Sequence, residues 1–374
     1  MSIPLNAKFD INIANEMLSS ARNKIKIDSY TPTENRNLII LGGQPAAGKS
    51  SIIERLSDNY QKNLVILNGD DFKSLYPNYS ALAKTNPDAT SKLVQPYSNY
   101  VVDNLKKEAM DKGLNTLIEG TMRTSKAPLE TVAMFAGNGY IAEAFVVSSN
   151  YFSSRIGIEQ RYESEVAKQG YGRSVDPKNL LEAYNNIPHT LKELAASGKL
   201  SNISVVDRSG NVLAETSKGD DVVKSYVNHR ENITPQIYLD VTDRINTVRD
   251  MMLTRGASSQ ELSNLGQIKQ DLDQSLNKMY EQTKSNALSQ NSNQQTKLTF
   301  TNESKISDVL NKFEPIMPEV IKNMRETNTL QHKSLDISLK NLDAKTVAHS
   351  LAEKTHGKVS VEFPQEKTKG FERE

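Results

Sequence analysis

The chain of 374 residues contains no cysteine. Disulfide bonds and thiolate metal sites are therefore excluded. Histidine is also scarce, and no two histidines have the HxxxH or HExxH spacing of a helical metal site. We interpret all five as structural or solvated residues: His189, His229, His332, His349 and His356.

The sequence also lacks an excess of either charge and a long apolar run. Its 46 basic and 45 acidic residues leave a net charge of +1, which gives no overall attraction to nucleic acid or to an anionic membrane. No apolar stretch approaches the ~18 residues that a membrane span requires. The first residues show no basic segment followed by an apolar one, so they do not resemble a secretory signal. We expect an intracellular protein with no membrane span and no nucleic-acid partner.

Short apolar runs alternate with helical patterns up to residue 232. Continuous apolar runs of this length are typical of buried parallel strands. The predicted strands are 38–41, 64–67, 116–118, 141–147 and 203–206, the last followed by a turn and a return at 212–213. Helical spacing is found at 50–60, 98–111 and 128–137. The pattern predicts an α/β fold with a parallel sheet flanked by helices.

Beyond residue 232 the strand pattern stops. Residues 233–289 carry apolar positions at helical spacing and predict a helical hairpin. Residues 285–305 are rich in Asn, Gln and Ser, which is typical of a linker. We expect two further helices in 306–355 and a flexible charged tail from residue 357. The chain therefore divides into a domain at 1–232, a helical region at 233–289, and a region of linker, helices and tail at 290–374.

One loop fits a phosphate-binding motif without a mismatch. Residues 43–50 read G-x-x-x-x-G-K-[ST], between an apolar strand and a helical pattern. In such a loop the backbone N–H groups point inward to phosphate, Lys49 reaches the β and γ phosphates, and Ser50 ligates Mg²⁺. A plain glycine-rich turn is the alternative, but the strand before and the helix after favour phosphate binding. The motif alone does not distinguish an NTPase switch, a motor and a small kinase.

The ends of the other strands supply carboxylates. Because open α/β sheets bind ligands at the carboxyl edge, Asp70 and Glu119 are expected beside the loop. Asp70 is the candidate base for an acceptor hydroxyl, while its neighbour Asp71 suits a helix N-cap. Glu119 is a candidate ligand in the coordination shell of magnesium or a hydrogen-bond partner for the hydroxyls of a sugar. The alternative is a structural ion pair.

Two arginines flank a segment that has the pattern of a lid. Arg161 and Arg173 are candidates to clamp a transferred phosphoryl group, because a planar guanidinium suits its charge and geometry. Surface arginines without a role are the alternative.

At this point the sequence resembles the zeta toxins of bacterial toxin–antitoxin systems. The motifs occur in order: GGQPAAGKSS, NGDDFKSLYPNY, QPYSNYVVDNL, LIEGTMRTSKAPLETVAMFAGNGY, IGIEQRYESEV, GYGRSVDPKNLLEAYNNIPHTLKELAASGKL and ISVVDRSGNVL. The resemblance covers residues 35–215. It implies a P-loop kinase that uses ATP and Mg²⁺ to phosphorylate the 3′-hydroxyl of UDP-N-acetylglucosamine, and thus a bacterial toxin that blocks peptidoglycan synthesis.

The resemblance also implies roles for individual residues. Asp70 would be the general base, and Arg161 and Arg173 would stabilise the transferred phosphoryl group together with Lys49. Ser50 would hold the metal. The UDP-sugar pocket would be lined by Asp103, Glu119, Thr121, Arg123 and Thr131. ATP would be bound by the loop residues Gly43, Gln44, Pro45, Ala46, Ala47, Gly48, Lys49, Ser50 and Ser51.

Three positions depart from the family pattern. Ala46-Ala47 replaces the more usual Gly-Ser, so Ala46 must accept the backbone angle that glycine allows. Ser50 replaces threonine, which leaves metal ligation intact. Asp103 stands in place of a glutamate and is one methylene shorter, which bears on the choice of sugar. No catalytic group is missing, and we expect an active kinase.

Several alternatives remain open from the sequence. The chain could phosphorylate another small molecule or nucleotide, or it could be an interaction protein that binds nucleotide for regulation only. Family members inhibited in trans bind a small helical antitoxin, which the resemblance implies as a partner here. Residues 235–374 could serve oligomerisation, localisation or partner binding, or they could regulate the kinase in cis. The bacterial cytoplasm is the expected location, with secretion of an effector kinase into a target cell as the alternative.

Overall fold

The computed structural model describes residues 8–291, 296–332, 335–356 and 358–364. The chain divides into two compact units, Met1–Gln274 and Ser275–Glu374, and the boundary falls within one long helix.

The first unit has six strands and eleven helices within its described residues. The strands are β1 (Asn37–Gly42), β2 (Val65–Asn68), β3 (Thr116–Gly120), β4 (Ile141–Val147), β5 (Asn202–Val206) and β6 (Val212–Glu215). The helices are α1 (Ile11–Ile25), α2 (Lys49–Asn59), α3 (Gly69–Phe72), α4 (Tyr79–Thr85), α5 (Pro87–Asp111), α6 (Lys126–Ala136), α7 (Tyr151–Gln169), α8 (Pro177–Ala196), α9 (Val222–Glu231), α10 (Pro235–Thr254) and α11 (Ser259–Asn291), the last of which continues into the second unit. Among the described residues of the chain, no helix combines the length and apolar character needed to cross a membrane.

The strands form one sheet in the order β2-β3-β1-β4-β5-β6. Strands β1 to β5 pair in parallel, and β6 returns antiparallel to β5. This confirms the predicted α/β fold with a parallel sheet flanked by helices. Since β1 lies between β3 and β4, the phosphate-loop motif that follows it leaves the sheet near its centre.

The apolar run of β1 is buried on both faces of the sheet. Leu38 and Ile40 belong to a core that includes Phe135 of α6. Ile39 and Leu41 point to the other face and belong to a core that includes Ile52 and Leu56 of α2. Alternate side chains of a strand point to opposite faces, so an apolar residue at each position serves two layers of helices.

Helix α10 packs along α7, the helix that carries Arg161. Val241, Ile245, Val248 and Met252 form the buried stripe of α10. The predicted helical hairpin is present, because residues 255–258 separate α10 from α11, and Tyr238 of α10 donates to Asp273 of α11 at 2.9 Å.

A bidentate ion pair also joins α7 to the end of α10. Nε and Nη2 of Arg255 donate to the two carboxylate oxygens of Glu163 at 2.7 and 2.9 Å. The Glu163 side chain is only 2% exposed, so the guanidinium compensates a buried carboxylate. Arg255 also donates to Glu261 at 2.6 Å and, with Ser258, lowers the pKa of Glu261 to about 2.

The described part of the second unit contains short strands as well as helices. Its elements after α11 are β7 (Thr296–Thr299), α12 (Ile306–Phe313), α13 (Pro318–Thr327), β8 (Thr329–His332), β9 (Leu335–Ser338), α14 (Ala344–Lys354) and β10 (Val359–Glu362). β7 pairs in parallel with β10, and β8 pairs antiparallel with β9. A core of its own includes Phe313, Ile321, Val347, Leu351 and Val359.

Three expectations for the C-terminal region were wrong. The segment predicted as a linker at 285–305 begins with the last turns of α11 and includes β7. Residues 306–355 contain three helices and a hairpin instead of two helices. The segment predicted as a tail from residue 357 contains β10, because residues 359–362 find their strand partner in 296–299, a distant segment that local composition does not reveal. Residue 357 and residues 365–374 lie outside the described part of the chain.

Candidate active site

The carboxyl ends of three neighbouring strands bring the predicted catalytic residues together. In the sheet register Gly42 of β1 is opposite Gly120 of β3, and Asn68 of β2 is opposite Glu119. The phosphate loop, the start of α3 and the EGTMRT segment therefore leave the sheet at one edge. Such an edge is where open α/β sheets bind their ligands.

The phosphate loop contains the backbone strain that its sequence predicts. Ala46 has φ 58°, in the left-handed region where an L side chain is strained, and Gly48 has φ 100°. The expectation that Ala46 adopts an angle suited to glycine is thus confirmed. Gly48 immediately precedes α2, so the N-terminus of that helix points toward the loop.

Lys49 lies within the loop and joins it to Glu119. The side chain is 9% exposed, and its Nζ donates to the carbonyl oxygens of Gly43 at 2.8 Å and Gln44 at 3.1 Å. The carboxylate of Glu119 lies 3.6 Å from Nζ. Burial lowers the pKa of Lys49, while Glu119 and then Asp70 oppose that effect.

Gln44 fixes the loop to the structure behind it. Its side chain is fully buried and donates to the carbonyl oxygen of Ser149 at 2.9 Å and to Ser154 Oγ at 3.1 Å. The hydroxyl of Tyr226 on α9 donates to Gln44 Oε1 at 3.4 Å. Gln44 was predicted as an ATP-binding residue, and in the structure its side chain anchors the loop, which leaves its backbone for a ligand.

The two hydroxyls after Lys49 differ in their surroundings. Ser50 is exposed, and its hydroxyl has no hydrogen-bond partner among the described residues. Ser51 Oγ donates to the carbonyl oxygens of Gly48 at 2.9 Å and Arg208 at 3.0 Å. Ser50 is therefore the hydroxyl that can ligate a metal.

Asp70 of the short helix α3 is ion-paired with Lys73, the residue after that helix. The Asn68 side chain caps the helix by accepting from the Asp70 N–H at 2.9 Å. Asp70 Oδ1 lies 2.8 Å from Lys73 Nζ, one turn further along. About half of the Asp70 side chain is exposed (47%), but the burial of the rest would by itself raise its pKa. Lys73, and then two arginines of the lid region, outweigh that effect and hold the pKa below its usual value.

Glu119 keeps its proton more readily than an ordinary glutamate. Burial raises its pKa, Lys49 opposes this, and Asp70 and Asp71 add to the rise. Asn68 Nδ2 donates to Glu119 Oε2 at 2.8 Å. Asn68 thus caps α3 with its side-chain oxygen and holds the carboxylate of Glu119 with its side-chain nitrogen.

The two lid arginines act on the same carboxylate. Both Arg161 and Arg173 contribute to the lowered pKa of Asp70. Arg173 is fixed by Glu165, which accepts from its Nε at 2.8 Å and from its Nη2 at 2.6 Å. Nε of Arg161 is buried without a hydrogen-bond partner among the described residues. Such a donor, one turn before Glu165 on α7, suits a ligand with anionic oxygens.

The predicted sugar-side residues are less concentrated than the catalytic ones. Asp103 is exposed on α5 and paired with Lys106 at 2.7 Å. Arg123 donates to Asn179 at 3.0 Å and to Glu182 at 3.1 Å on α8. Thr131 is buried on α6, while Thr121 is half-buried after β3. In the described residues none of these four is bonded to Lys49, Asp70 or Glu119.

The sequence reasoning missed four residues that contact the site. Lys73 was visible in the motif D-x-F-K, where the spacing of three places it one turn from Asp70. Asn68 directly precedes the Gly69-Asp70 pair. Arg208 and Arg244 lie beside the phosphate loop but come from distant segments. Arg208 follows the predicted strand 203–206, so the rule that ligands bind at strand ends applied to it, whereas no local signal could have identified Arg244.

Comparisons with known proteins place the chain in a family. The family model described as "Zeta toxin" matches residues 22–218, which is more than half of the chain. A protein named Toxin zeta from Streptococcus agalactiae is 30% identical over 204 residues, which cover 54% of this chain and 69% of the relative. A protein of the same name from Enterococcus hirae is 33% identical over 178 residues, which cover 47% of this chain and 62% of the relative.

A solved structure is similar in fold to more than half of this chain. It comes from a study of the PezAT chromosomal toxin–antitoxin system of Streptococcus pneumoniae and aligns with a TM-score of 0.58. The alignment covers 64% of this chain and 98% of that one, at 19% sequence identity. At this identity the similarity concerns the fold.

Proposed function

The chain belongs to the zeta toxin family of P-loop kinase-like toxins, and from this premise we propose that it is an ATP-dependent kinase that phosphorylates the 3′-hydroxyl of UDP-N-acetylglucosamine. Phosphorylation of this precursor would block peptidoglycan synthesis and make the chain a bacterial toxin. The observation that carries the proposal is the charged cluster at one sheet edge. In this cluster the carboxylate of Glu119 lies 3.6 Å from the ammonium of the buried Lys49. The positive charges of Arg161 and Arg173 help to lower the pKa of Asp70.

Each group in the cluster suits one task in phosphoryl transfer. Asp70 is ionised and partly exposed, so it can accept the proton of an acceptor hydroxyl. Lys49 and the two lid arginines can neutralise charge on the transferred group. Glu119, whose carboxylate lies 3.6 Å from Lys49 Nζ and accepts from Asn68, can accept a hydrogen bond from a hydroxyl of the sugar.

The residues beside the loop also fit Mg²⁺. The exposed Ser50 hydroxyl and the carboxylates of Asp70 and Glu119 would hold the ion together with phosphate oxygens and water. In the described residues no group of three or more acidic, histidine or cysteine side chains forms a complete metal site, and Mg²⁺ in kinases needs none, because substrate phosphates supply ligands. When bound, Mg²⁺ neutralises charge on the β and γ phosphates.

The test is incubation of the purified chain with ATP, Mg²⁺ and UDP-N-acetylglucosamine, followed by mass measurement of the sugar nucleotide. We expect the addition of one phosphoryl group. In Asp70→Asn turnover should fall by about 10²–10⁴-fold with ADP affinity nearly unchanged, because the base acts on the acceptor. Asp71→Asn, a change on the same short helix, is the matched control and should keep turnover.

Two outcomes would contradict the proposal in different ways. Absence of a phosphorylated sugar nucleotide from a chain that binds ADP would reject this acceptor and leave kinases of other small molecules. Near-normal turnover in Asp70→Asn would reject Asp70 as the base.

We further propose an antitoxin partner and a bacterial cytoplasmic location. The similar solved structure comes from a study of a toxin–antitoxin system, which supports a small inhibitory protein as partner. Co-expression with the antitoxin of a related zeta toxin should relieve growth inhibition by this chain. Growth inhibition that persists would contradict this part of the proposal.

A further inference from the structure

Two arginines lie beside the phosphate loop. Arg208 begins the turn between β5 and β6, and Arg244 lies in the middle of α10. Neither has a place in the catalytic cluster. Arg244 also lies outside residues 22–218, the segment that the family model matches.

Arg208 is held against the start of α2. The carboxylate of Asp207 accepts from the N–H groups of Ser209 and Asn211 at 2.8 and 2.9 Å and thereby fixes the turn. The Arg208 carbonyl oxygen accepts from Ser51 Oγ at 3.0 Å. A Cβ added to Gly48 would lie 3.4 Å from Cβ of Arg208, which shows how closely the turn approaches the loop.

Arg244 reaches the tip of the loop from the other side. Its Nε donates to Gln160 Oε1 at 2.9 Å, and its Nη1 donates to the carbonyl oxygen of Ser153 at 3.2 Å. A Cβ added to Gly157 of α7 would lie 2.9 Å from Arg244 Nη2 and 3.0 Å from Ala46 Cβ. The guanidinium and the strained residue of the loop therefore adjoin the same glycine.

Nearby carboxylates compensate only part of the positive charge of Arg208 and Arg244. Asp240 lies 3.3 Å from Arg244, whereas Arg208 has no ion pair within the described residues. In the part of the chain that the structure describes, the guanidinium of Arg208 donates to Ser149 Oγ alone, at 3.3 Å. Burial, followed by the charge of Arg244, lowers the pKa of Arg208. Two like charges beside a phosphate loop indicate an anionic or aromatic ligand that would offset their repulsion.

We propose that Arg208 and Arg244 bind the nucleoside end of the donor nucleotide, with Arg208 at the purine base and Arg244 at the α-phosphate. This inference rests on the proposed kinase function. The loop backbone cradles the α and β phosphates, while Lys49 points to Glu119 on the acceptor side. Arg244 adjoins the loop tip at Ala46, and Arg208 adjoins its end at Gly48 and Ser51. A guanidinium both stacks on bases and binds phosphate, so one residue type serves both contacts.

Helix α10 is then part of the donor site, although it lies beyond residues 22–218, which the family model matches. Nucleotide affinity should therefore depend on a helix that the resemblance to the family did not include.

The experiment measures the dissociation constant of ADP by calorimetry for the full chain. Arg208→Gln and Arg244→Gln should each weaken binding by about 10-fold or more, since a hydrogen bond to a charged group contributes ~1.5–3 kcal/mol and 1.4 kcal/mol is tenfold. Arg249→Gln is the matched control, because Arg249 is exposed on the same helix. The Michaelis constant for the sugar nucleotide should stay unchanged in all three variants.

Inorganic tripolyphosphate separates the base contact from the phosphate contacts. In Arg208→Gln its affinity should fall by less than about threefold, because it has no base to lose, while Arg244→Gln should weaken it clearly. Equal losses of ADP and tripolyphosphate in Arg208→Gln would overturn the assignment of Arg208 to the base.

Folding and function are controlled separately. Thermal unfolding without ligand identifies a variant that has lost its structure, and Arg244→Lys, which keeps the charge without the planar fork, should bind ADP with intermediate affinity. Normal ADP affinity in folded Arg208→Gln and Arg244→Gln would overturn the inference and leave the kinase proposal intact. A wild-type chain that binds no ADP would instead reject the proposed function, and with it this site.

Discussion

At the scale of single residues, the ionisation of Asp70 depends on Lys73. Removing the ammonium in Lys73→Met takes away the strongest of the charges that hold the pKa of Asp70 below its usual value. The pKa should then rise, so Asp70 binds a proton at higher pH. We expect the acid-side loss of kcat/KM to move to higher pH in this variant. A pH–rate profile with UDP-N-acetylglucosamine measures the shift.

The control for this prediction is Lys92→Met, since Lys92 is exposed on α5. Its profile should match the wild type. An unmoved acid limb in Lys73→Met would mean that Asp70 is not the group that the profile reports.

Residue patterns predicted which charged side chains meet at the sheet edge better than they predicted the residues around them. Lys49, Asp70 and Glu119 each follow an apolar strand, and parallel strands bring such positions to one edge. Arg208 lies just after the parallel strand β5 and was open to the same reasoning, whereas Arg244 was not, because its approach to the loop depends on how α10 packs. The strain at Ala46 was predictable, since the motif fixes the angle whatever residue occupies the position.

At the scale of elements, the pairing of α7 with α10 depends on Arg255. Arg255→Gln would leave the carboxylate of Glu163 buried without its counter-charge. Breaking a buried ion pair from one side costs about 3–5 kcal/mol, and we expect a loss in the free energy of unfolding toward the lower end of that range, because Arg255 is itself 26% exposed. Urea denaturation of the full chain measures this loss.

A double-mutant cycle makes the assignment specific. Combining Arg255→Gln with Glu163→Gln should recover part of the lost stability, since the buried charge is then removed. Arg249→Gln serves as the surface control on α10. A loss below about 1 kcal/mol in Arg255→Gln would show that the ion pair does not hold α7 to α10.

The elements themselves were predicted unevenly. Strand β1 contains the continuous apolar run 38–41, and Glu143 is the one charged residue among the seven of β4, so both strands are hard to mistake for loops. Strands β7 and β10 have four residues each, with few apolar side chains, and they exist through pairing with one another. Most of the second unit separates β7 from β10 in the sequence. The residues around either strand therefore do not predict the pairing.

At the scale of the whole molecule, each unit buries its own core. A chain ending at Gln274 keeps the sheet, α10 and both arginines beside the loop. We expect it to fold and to bind ADP as the full chain does, with a thermal unfolding midpoint of the kinase unit within a few degrees. A chain ending at residue 234 loses α10 and exposes the surface that α10 covers on α7, so it should unfold at lower temperature and bind ADP poorly.

Kinase rates of the same two chains decide between the roles left open for the C-terminal region. A chain ending at Gln274 with an unchanged rate argues against regulation in cis by residues 275–374. A markedly faster rate would support it. Failure of this chain to bind ADP would contradict the division into independent cores.

The burial of Gln44 bears on the thermodynamics of ligand binding. Hydrogen bonds to Ser149, Ser154 and Tyr226 order the phosphate loop during folding, so the entropy cost of fixing it is separated from the binding step. Affinity for nucleotide is in this way linked to α9, a helix that contributes no ligand-binding group of its own in either proposal. Substitutions in α9 would then change the affinity for nucleotide because they change how well the loop is ordered. The contacts between loop and ligand would stay the same.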